Sequence, residues 1–117
     1  MNFGATPLPP VATPGPNRLD LAAQVVERGA LRYTPAGLPA LDLKLSHGSQ
    51  VMQDGHPRQV SFEMHALGVG EVVRILDRLP VGTTGTFRGF LGKQRSGRGV
   101  VFHIQEFEPS INASTQI

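Results

Sequence analysis

A segment of eight residues, Gly92–Gly99, combines three cationic side chains with three glycines and contains no carboxylate. Lysine and arginine attract phosphate groups by charge, and arginine also binds them through paired hydrogen bonds. Glycine adopts backbone conformations that other residues avoid, so the segment is expected to be flexible. Lys93, Arg95 and Arg98 are therefore predicted to bind the phosphates of a nucleic acid, and the alternative is a solvated hairpin loop whose charges serve solubility.

The distribution of charge extends this prediction to a larger surface. The sequence has 117 residues and a net charge of +2, yet no Asp or Glu occurs between Arg78 and Gln105, where five cations lie. A one-sided cationic surface is typical of proteins with a polyanionic partner. Because the sequence has no cysteine, no apolar run long enough to span a bilayer and no signal-peptide pattern, we expect a cytoplasmic protein without a membrane partner.

The other reactive side chains form no catalytic or metal-binding pattern. Four histidines are spread over predicted loops and strands without the spacing of metal ligands, namely His47, His56, His65 and His103. The glycines of Gly68–Gly70 lack the third glycine of a dinucleotide motif, and Gly92-Lys93 lacks the following Ser or Thr of a P-loop. We therefore expect neither an enzyme nor a protein with a metal or cofactor.

Five strands and one helix are predicted to position the basic segment. Alternation of apolar and polar residues predicts a long strand from Asn17 with a bend at Arg28-Gly29, and then strands over Ala40–Ser46, Gln59–Leu67, Thr86–Leu91 and Val100–Phe107. The polar residues His47–Pro57 are predicted to form a loop. A change to helical period predicts a helix over Gly70–Leu79, with a buried face made of Val72, Val73, Ile75, Leu76 and Leu79.

Three strands, one short helix and two further strands is the element order of the OB-fold, an all-β, five-stranded Greek-key barrel. In this fold the second and third strands, with the loops between strands one and two and strands four and five, form the usual oligonucleotide-binding face. The basic segment is the loop between strands four and five. We assign the barrel to residues 17–109, a disordered proline-rich tail to residues 1–16 and a short polar tail to residues 110–117.

A set of short motifs runs through the predicted barrel in a fixed order: Asn17-Arg18-Leu19, Pro35–Pro39, Arg58-Gln59, Met64 and Gly89-Phe90-Leu91. Together they resemble primosomal replication protein N, the PriB family of bacteria. The resemblance implies a homodimeric OB-fold that binds single-stranded DNA. It also implies a role in replication restart, in which the protein assists the primosomal helicase and other primosome proteins to reload the replicative helicase at stalled forks.

The resemblance also implies which residues bind DNA. The basic loop of the family corresponds to Lys93, Arg95 and Arg98, and in the family this region also contacts the helicase. Arg58 matches a family arginine at the start of the third strand. Two further cations on the predicted strands are second-rank candidates for DNA contacts, namely Lys44 and Arg88.

The sequence departs from the family at the positions of its aromatic residues. Around the start of the third strand, where better-known members have aromatic side chains, this sequence has His56 and Ser61. Strand alternation points Phe62 into the barrel, and the remaining strand phenylalanines are predicted to be core, namely Phe87, Phe90, Phe102 and Phe107. With His56 as the candidate for base stacking, we expect binding dominated by phosphate contacts and strongly dependent on salt.

Two other functions fit the same predicted fold. The first is a general single-stranded nucleic-acid-binding OB protein, for DNA or RNA, without a helicase partner. General single-stranded-DNA-binding proteins end in an acidic, apolar tip, which residues 112–117 lack, so the sequence favours the restart protein. The second is a protein-interaction module that uses the basic loop to bind an acidic partner.

Overall fold

The computed structural model describes residues 15–95 and 97–110, which form a closed barrel of five long strands with one short helix. The strands are β1 (Leu19–Arg28), β2 (Arg32–Tyr33), β3 (Pro39–Gln53), β4 (His56–Val69), β5 (Thr84–Lys93) and β6 (Val100–Pro109). A 3-10 turn (Gly70–Val72) and helix α1 (Val73–Leu76) lie between β4 and β5. Most of each predicted tail, residues 1–14 and 111–117, lies outside the described residues.

The strand order confirms the predicted OB-fold. The sheet runs β1-β5-β6-β4-β3-β2, and β1 also pairs with β3, which closes the barrel. All pairs are antiparallel except β4–β6. β1 pairs with β5 from Leu19 to Gln24 and with β3 from Gln24 to Arg28, and a register shift between Val25 and Glu27 marks a bend in the strand. This bend lies slightly earlier than the predicted one at Arg28-Gly29.

The core follows the predicted alternation in the barrel strands. Leu41, Leu43 and Leu45 of β3 are buried, as are Phe87 of β5 and Phe102 of β6. The 3-10 turn and α1 cover one end of the barrel with three buried side chains, namely Val72, Val73 and Leu76. Gly68 permits this approach, because an added Cβ would collide with Leu76.

The helix predicted over Gly70–Leu79 is longer than the helix in the structure. The α-helical part covers only Val73–Leu76, and the chain then forms a turn towards β5. Ile75, which was predicted to lie on the buried face, is 48% exposed. The prediction of its burial is wrong because a single helical turn cannot place every apolar residue of the segment against the barrel.

The predicted polar loop His47–Pro57 is also wrong, because these residues extend β3 and β4 into a long hairpin. Asp54 and Gly55 form its two-residue turn, with φ angles of 52° and 78°, and Gln53 pairs with His56. Positive φ at both central residues is typical of the tight turns that match the twist of paired strands. We call residues 47–62 the arm, because this part of the hairpin projects beyond the pairings with β1 and β6.

Candidate nucleic-acid interface

A groove of about 160 Å³ lies on the outside of the barrel between two connections of the chain. Arg32 of β2 borders it on one side, and Gln94 and Arg95 of the β5–β6 loop border it on the other. Its remaining lining residues come from three neighbouring strands, namely Asp42, His65, Leu67 and Val101. In OB-folds this position between the two loops is the usual oligonucleotide-binding site.

Strand alternation explains why polar side chains reach this groove. Leu41 and Leu43 are buried in the barrel, so Asp42 between them points outwards. On β4 the buried residue is Ala66, so His65 and Leu67 share the outer face with Asp42. The sequence therefore builds an apolar core and a polar groove floor from the same two strands.

Asp42 holds the border of the groove in place. Its Oδ2 accepts hydrogen bonds from Nε and Nη2 of Arg32 at 3.1 Å and 2.8 Å, and its Oδ1 lies 3.2 Å from Nε2 of His65. Partial burial raises the pKa of the Asp42 carboxyl, but the hydrogen bonds and charges of Arg32 and His65 outweigh it, so the pKa lies below its ordinary value. Asp42 is therefore ionised at neutral pH and compensated by its partners.

The β5–β6 loop presents the predicted cations to solvent. Lys93, Arg95 and Arg98 are exposed, and none of them forms an ion pair with a carboxylate of the described residues. The backbone N–H of Gln94 donates to the carbonyl of Gly99 at 3.1 Å, and Gly99 has a φ of 94°. Glycine is required at such a conformation because a side chain would strain it. The loop therefore carries three charges without a carboxylate partner among the described residues, and Arg95 brings one of them to the border of the groove.

Lys44 and Arg58 lie on the same hairpin at different distances from the groove. Lys44 pairs across the strands with His65, and its Nζ lies 3.9 Å from carboxylate oxygens of both Glu27 and Glu63. Arg58 is exposed on the arm, opposite Val51. Neither arrangement tests whether the residue binds DNA, so both assignments stay predictions.

Arg88 lies on β5 in an ionic cluster of its own. Its Nη2 donates to Oε1 of Glu108 at 2.8 Å, and its Nε lies 3.7 Å from Oδ2 of Asp20. The hydrogen bond to Glu108 raises the pKa of Arg88 above its ordinary value, so the guanidinium is charged at any relevant pH. A phosphate at Arg88 would have to compete with two carboxylates, and its role in DNA binding stays a prediction.

Two aromatic predictions are corrected by the structure. Phe62, which was predicted to point into the barrel, is 41% exposed, with its ring 5.1 Å from that of His47. Strand alternation places Phe62 on the same face as the core residues of β4, but at this position the hairpin already extends beyond the barrel. Phe90, which was predicted to be core, lies outside the core cluster and stacks on His103 with ring centres 4.8 Å apart.

Arg32, Phe90 and His103 are the groove-side residues that the sequence-based prediction missed. Alternation from the buried Phe87 places Phe90 on the outer face of β5, so that signal was available in the sequence. Arg32 had no such signal, because it lies on a two-residue strand that only the fold brings beside Asp42.

The structure also bears on metal binding and membrane insertion. Within residues 15–95 and 97–110, no group of three or more His, Asp or Glu side chains could hold a metal ion. None of the helices in this part of the chain has the length and apolarity needed to cross a membrane.

Known proteins resemble this chain over nearly all of the barrel. Residues 17–106 match a family described as another single-strand binding protein family. Replication restart protein PriB of Bordetella pertussis is 44% identical over 91 residues, which cover 77% of this chain and 85% of that protein. The PriB protein of Nitrosomonas europaea is 30% identical over 91 residues, which cover 77% of this chain and 84% of that protein.

Solved structures give the same result. The structure of PriB from Ralstonia solanacearum matches with a TM-score of 0.75 and 43% identity, over 81% of this chain and 98% of that one. The single-stranded DNA binding protein of Thermus aquaticus matches with a TM-score of 0.67 and 25% identity, over 86% of this chain and 52% of that one. The chain therefore belongs to the single-strand binding protein family and, within it, to the PriB proteins.

Proposed function

We propose that this protein binds single-stranded DNA during replication restart, with the groove and the β5–β6 loop as its binding surface. The observation that carries the proposal is the set of exposed cations, Lys93, Arg95 and Arg98, beside the oligonucleotide-binding position of an OB barrel. Membership of the PriB family supports the same role, since its relatives are replication restart proteins.

The chemistry of the surface suits a flexible polyanion. Three cations on a glycine-containing loop can follow the phosphates of a single strand, whereas Arg32 on the opposite border is already paired with Asp42. Asp42 lies in the groove, but its charge is compensated by Arg32 and His65. Repulsion of DNA by this carboxylate is therefore reduced.

We further propose that the protein acts as a cytoplasmic homodimer that assists the primosomal helicase, with the β5–β6 loop contacting both DNA and helicase. The relatives are replication restart proteins, which supports the restart role, and the helicase contact extends it. A loop that touches two partners must release one charge contact to make another. Charge contacts exposed to solvent are suited to such exchange because they are weak one by one.

Binding is tested by fluorescence anisotropy with a labelled single-stranded DNA, the matching duplex and the RNA of the same sequence. We expect the single-stranded DNA to bind most tightly at a given salt concentration. Equal affinity for all three would indicate general attraction to polyanions, and absence of binding to any of them would favour a protein-interaction module.

The helicase role is tested by unwinding of a forked DNA by the primosomal helicase from the same organism, with and without this protein. We expect the protein to stimulate unwinding. Binding of single-stranded DNA without any stimulation would instead indicate a general single-stranded nucleic-acid-binding protein.

A further inference from the structure

We propose that the stacked pair Phe90–His103 is the base-stacking site of this protein, with a nucleobase of single-stranded DNA as its ligand. The inference rests on the proposed function and places a stacking contact at a site other than His56, the candidate named from the sequence. The two rings are nearly parallel, with 7° between their planes and 4.8 Å between their centres. They come from directly opposed residues of β5 and β6.

The pair faces outwards, on the side of the sheet that carries the groove. His103 lies between Phe102 and Ile104, which are buried in the core, so its side chain points to the opposite face. Phe90 is likewise outside the core cluster. Both rings are only half-buried, although a phenylalanine that served the core alone would be covered by its neighbours.

The pair also continues the floor of the groove. Leu67, one of the lining residues, is the neighbour of His103 in the β4–β6 pairing. Val101, another lining residue, lies two positions before His103 and therefore on the same face of β6. A strand of DNA that contacts Arg95 at the border of the groove would have the pair within the same surface.

Gly92 makes room for the imidazole ring. A Cβ added at this position would lie 2.8 Å from Nε2 of His103, so any larger residue would displace the ring. The glycine thus fixes the place of His103 beside Phe90 without covering it. Each ring covers one face of the other, so a base stacks on an outer face of the pair, and such a face accepts any base because every base has a π face.

The inference predicts an effect that is separate from charge. Phe90→Leu keeps an apolar side chain but removes the flat ring, so it should lower affinity for single-stranded DNA by about 10-fold. Because no phosphate contact is lost, the slope of log affinity against log salt should stay that of the wild type. Phe90→Tyr, which keeps the ring, should retain most of the affinity.

A matched control is available on the arm. Phe62 is also a half-exposed phenylalanine paired with a histidine, and Phe62→Leu makes the same chemical change away from the groove. Because the arm also carries Arg58, the comparison is made by position: we expect Phe62→Leu to keep the wild-type response to loss of a base at the positions where Phe90→Leu changes it. Circular dichroism and thermal unfolding report whether each variant is folded. If Phe90→Leu is not folded, His103→Leu tests the same site by removing the other ring of the pair.

The ligand itself is tested with an oligonucleotide in which a single abasic site is moved along the strand. For the wild type we expect one or two positions at which loss of the base weakens binding, and for Phe90→Leu we expect that position dependence to disappear. Wild-type affinity of folded Phe90→Leu and His103→Leu, or loss of the same position dependence in Phe62→Leu as in Phe90→Leu, would overturn the inference while leaving the proposed function intact. Absence of DNA binding by the wild type would overturn both.

Discussion

Two arginines of the β5–β6 loop allow a direct test of phosphate binding. We expect the double variant Arg95→Ala, Arg98→Ala to bind single-stranded DNA less tightly and with a weaker dependence on salt. Both side chains are exposed and form no ion pair within the described part of the chain, so both are available to phosphates. Their removal costs the fold no contact of that kind.

The magnitude follows from the release of counterions. Each phosphate neutralised on a single strand contributes about 0.7 to the slope of log affinity against log salt. Loss of two such contacts should therefore reduce the magnitude of the slope by about 1.4. Between about 50 mM and 200 mM salt, the factor by which affinity falls should then be about 7 times larger for the wild type than for the variant.

The assay is anisotropy of a labelled oligonucleotide across this range of salt. Arg74→Ala, Arg78→Ala is the control for net charge, because it removes two exposed arginines in or next to α1, of which Arg74 is paired with Glu71, and changes the net charge equally. We expect the control to keep the wild-type slope. If the two double variants have the same slope, net charge governs binding and the assignment of the loop is refuted.

Four further substitutions test the stability of the fold. Asp42→Asn should lower the free energy of unfolding by at most about 1 kcal/mol at neutral pH, because its ion pair with an arginine is partly exposed. Since the pKa of the Asp42 carboxyl is lowered in the folded state, this difference should persist above about pH 4 and shrink as the pH falls through the lowered value. Phe87→Ala empties a fully buried position and should cost about 3–5 kcal/mol in urea unfolding. Gly89→Ala should cost at least about 2 kcal/mol by the same measurement, because its Cβ would collide with the backbone oxygen of His103. Gly92→Ala should lower the free energy of unfolding by less, because its Cβ would meet only the movable side-chain ring of His103.

Each of these predictions has a contrary result. The Asp42 prediction is contradicted if the difference in free energy of unfolding between Asp42→Asn and wild type stays constant from about pH 7 to pH 3. The partners of the carboxylate would then not stabilise its ionised form. A Phe87→Ala protein with the wild-type midpoint in urea would contradict the described core. Equal stability of the Gly89 and Gly92 variants would show that β5 and β6 approach each other less closely than described.

The sequence predicted the barrel because its core strands carry a clear alternation. Leu41, Leu43 and Leu45 alternate with polar residues, and the fold buries all three. The same rule could not predict the arm, since both faces of residues 47–62 lie beyond the barrel and neither needs to be apolar. Asp54-Gly55 was visible as a turn, but a turn alone does not show how far its strands extend.

The candidate site was predictable in part. The charges of Lys93, Arg95 and Arg98 stand out in the sequence because they are close together in the chain. The network around Asp42 does not, because Arg32 and His65 are 10 and 23 residues away from it and meet only across the sheet. Contacts of this kind depend on strand register, which a single sequence does not fix for strands of uncertain length.

The arm has a consequence for how the protein deforms. In the described part of the chain, its two strands pair only with each other. At the end of the arm nearest the barrel, Nδ1 of His47 lies 2.6 Å from the carbonyl oxygen of Ala22. A two-stranded ribbon without its own core opens locally at low cost. Backbone amides should therefore exchange slowly at Leu41–Leu45 and progressively faster towards Asp54-Gly55. One continuous sheet thus combines a stiff surface with a compliant margin that can bend without disturbing the core.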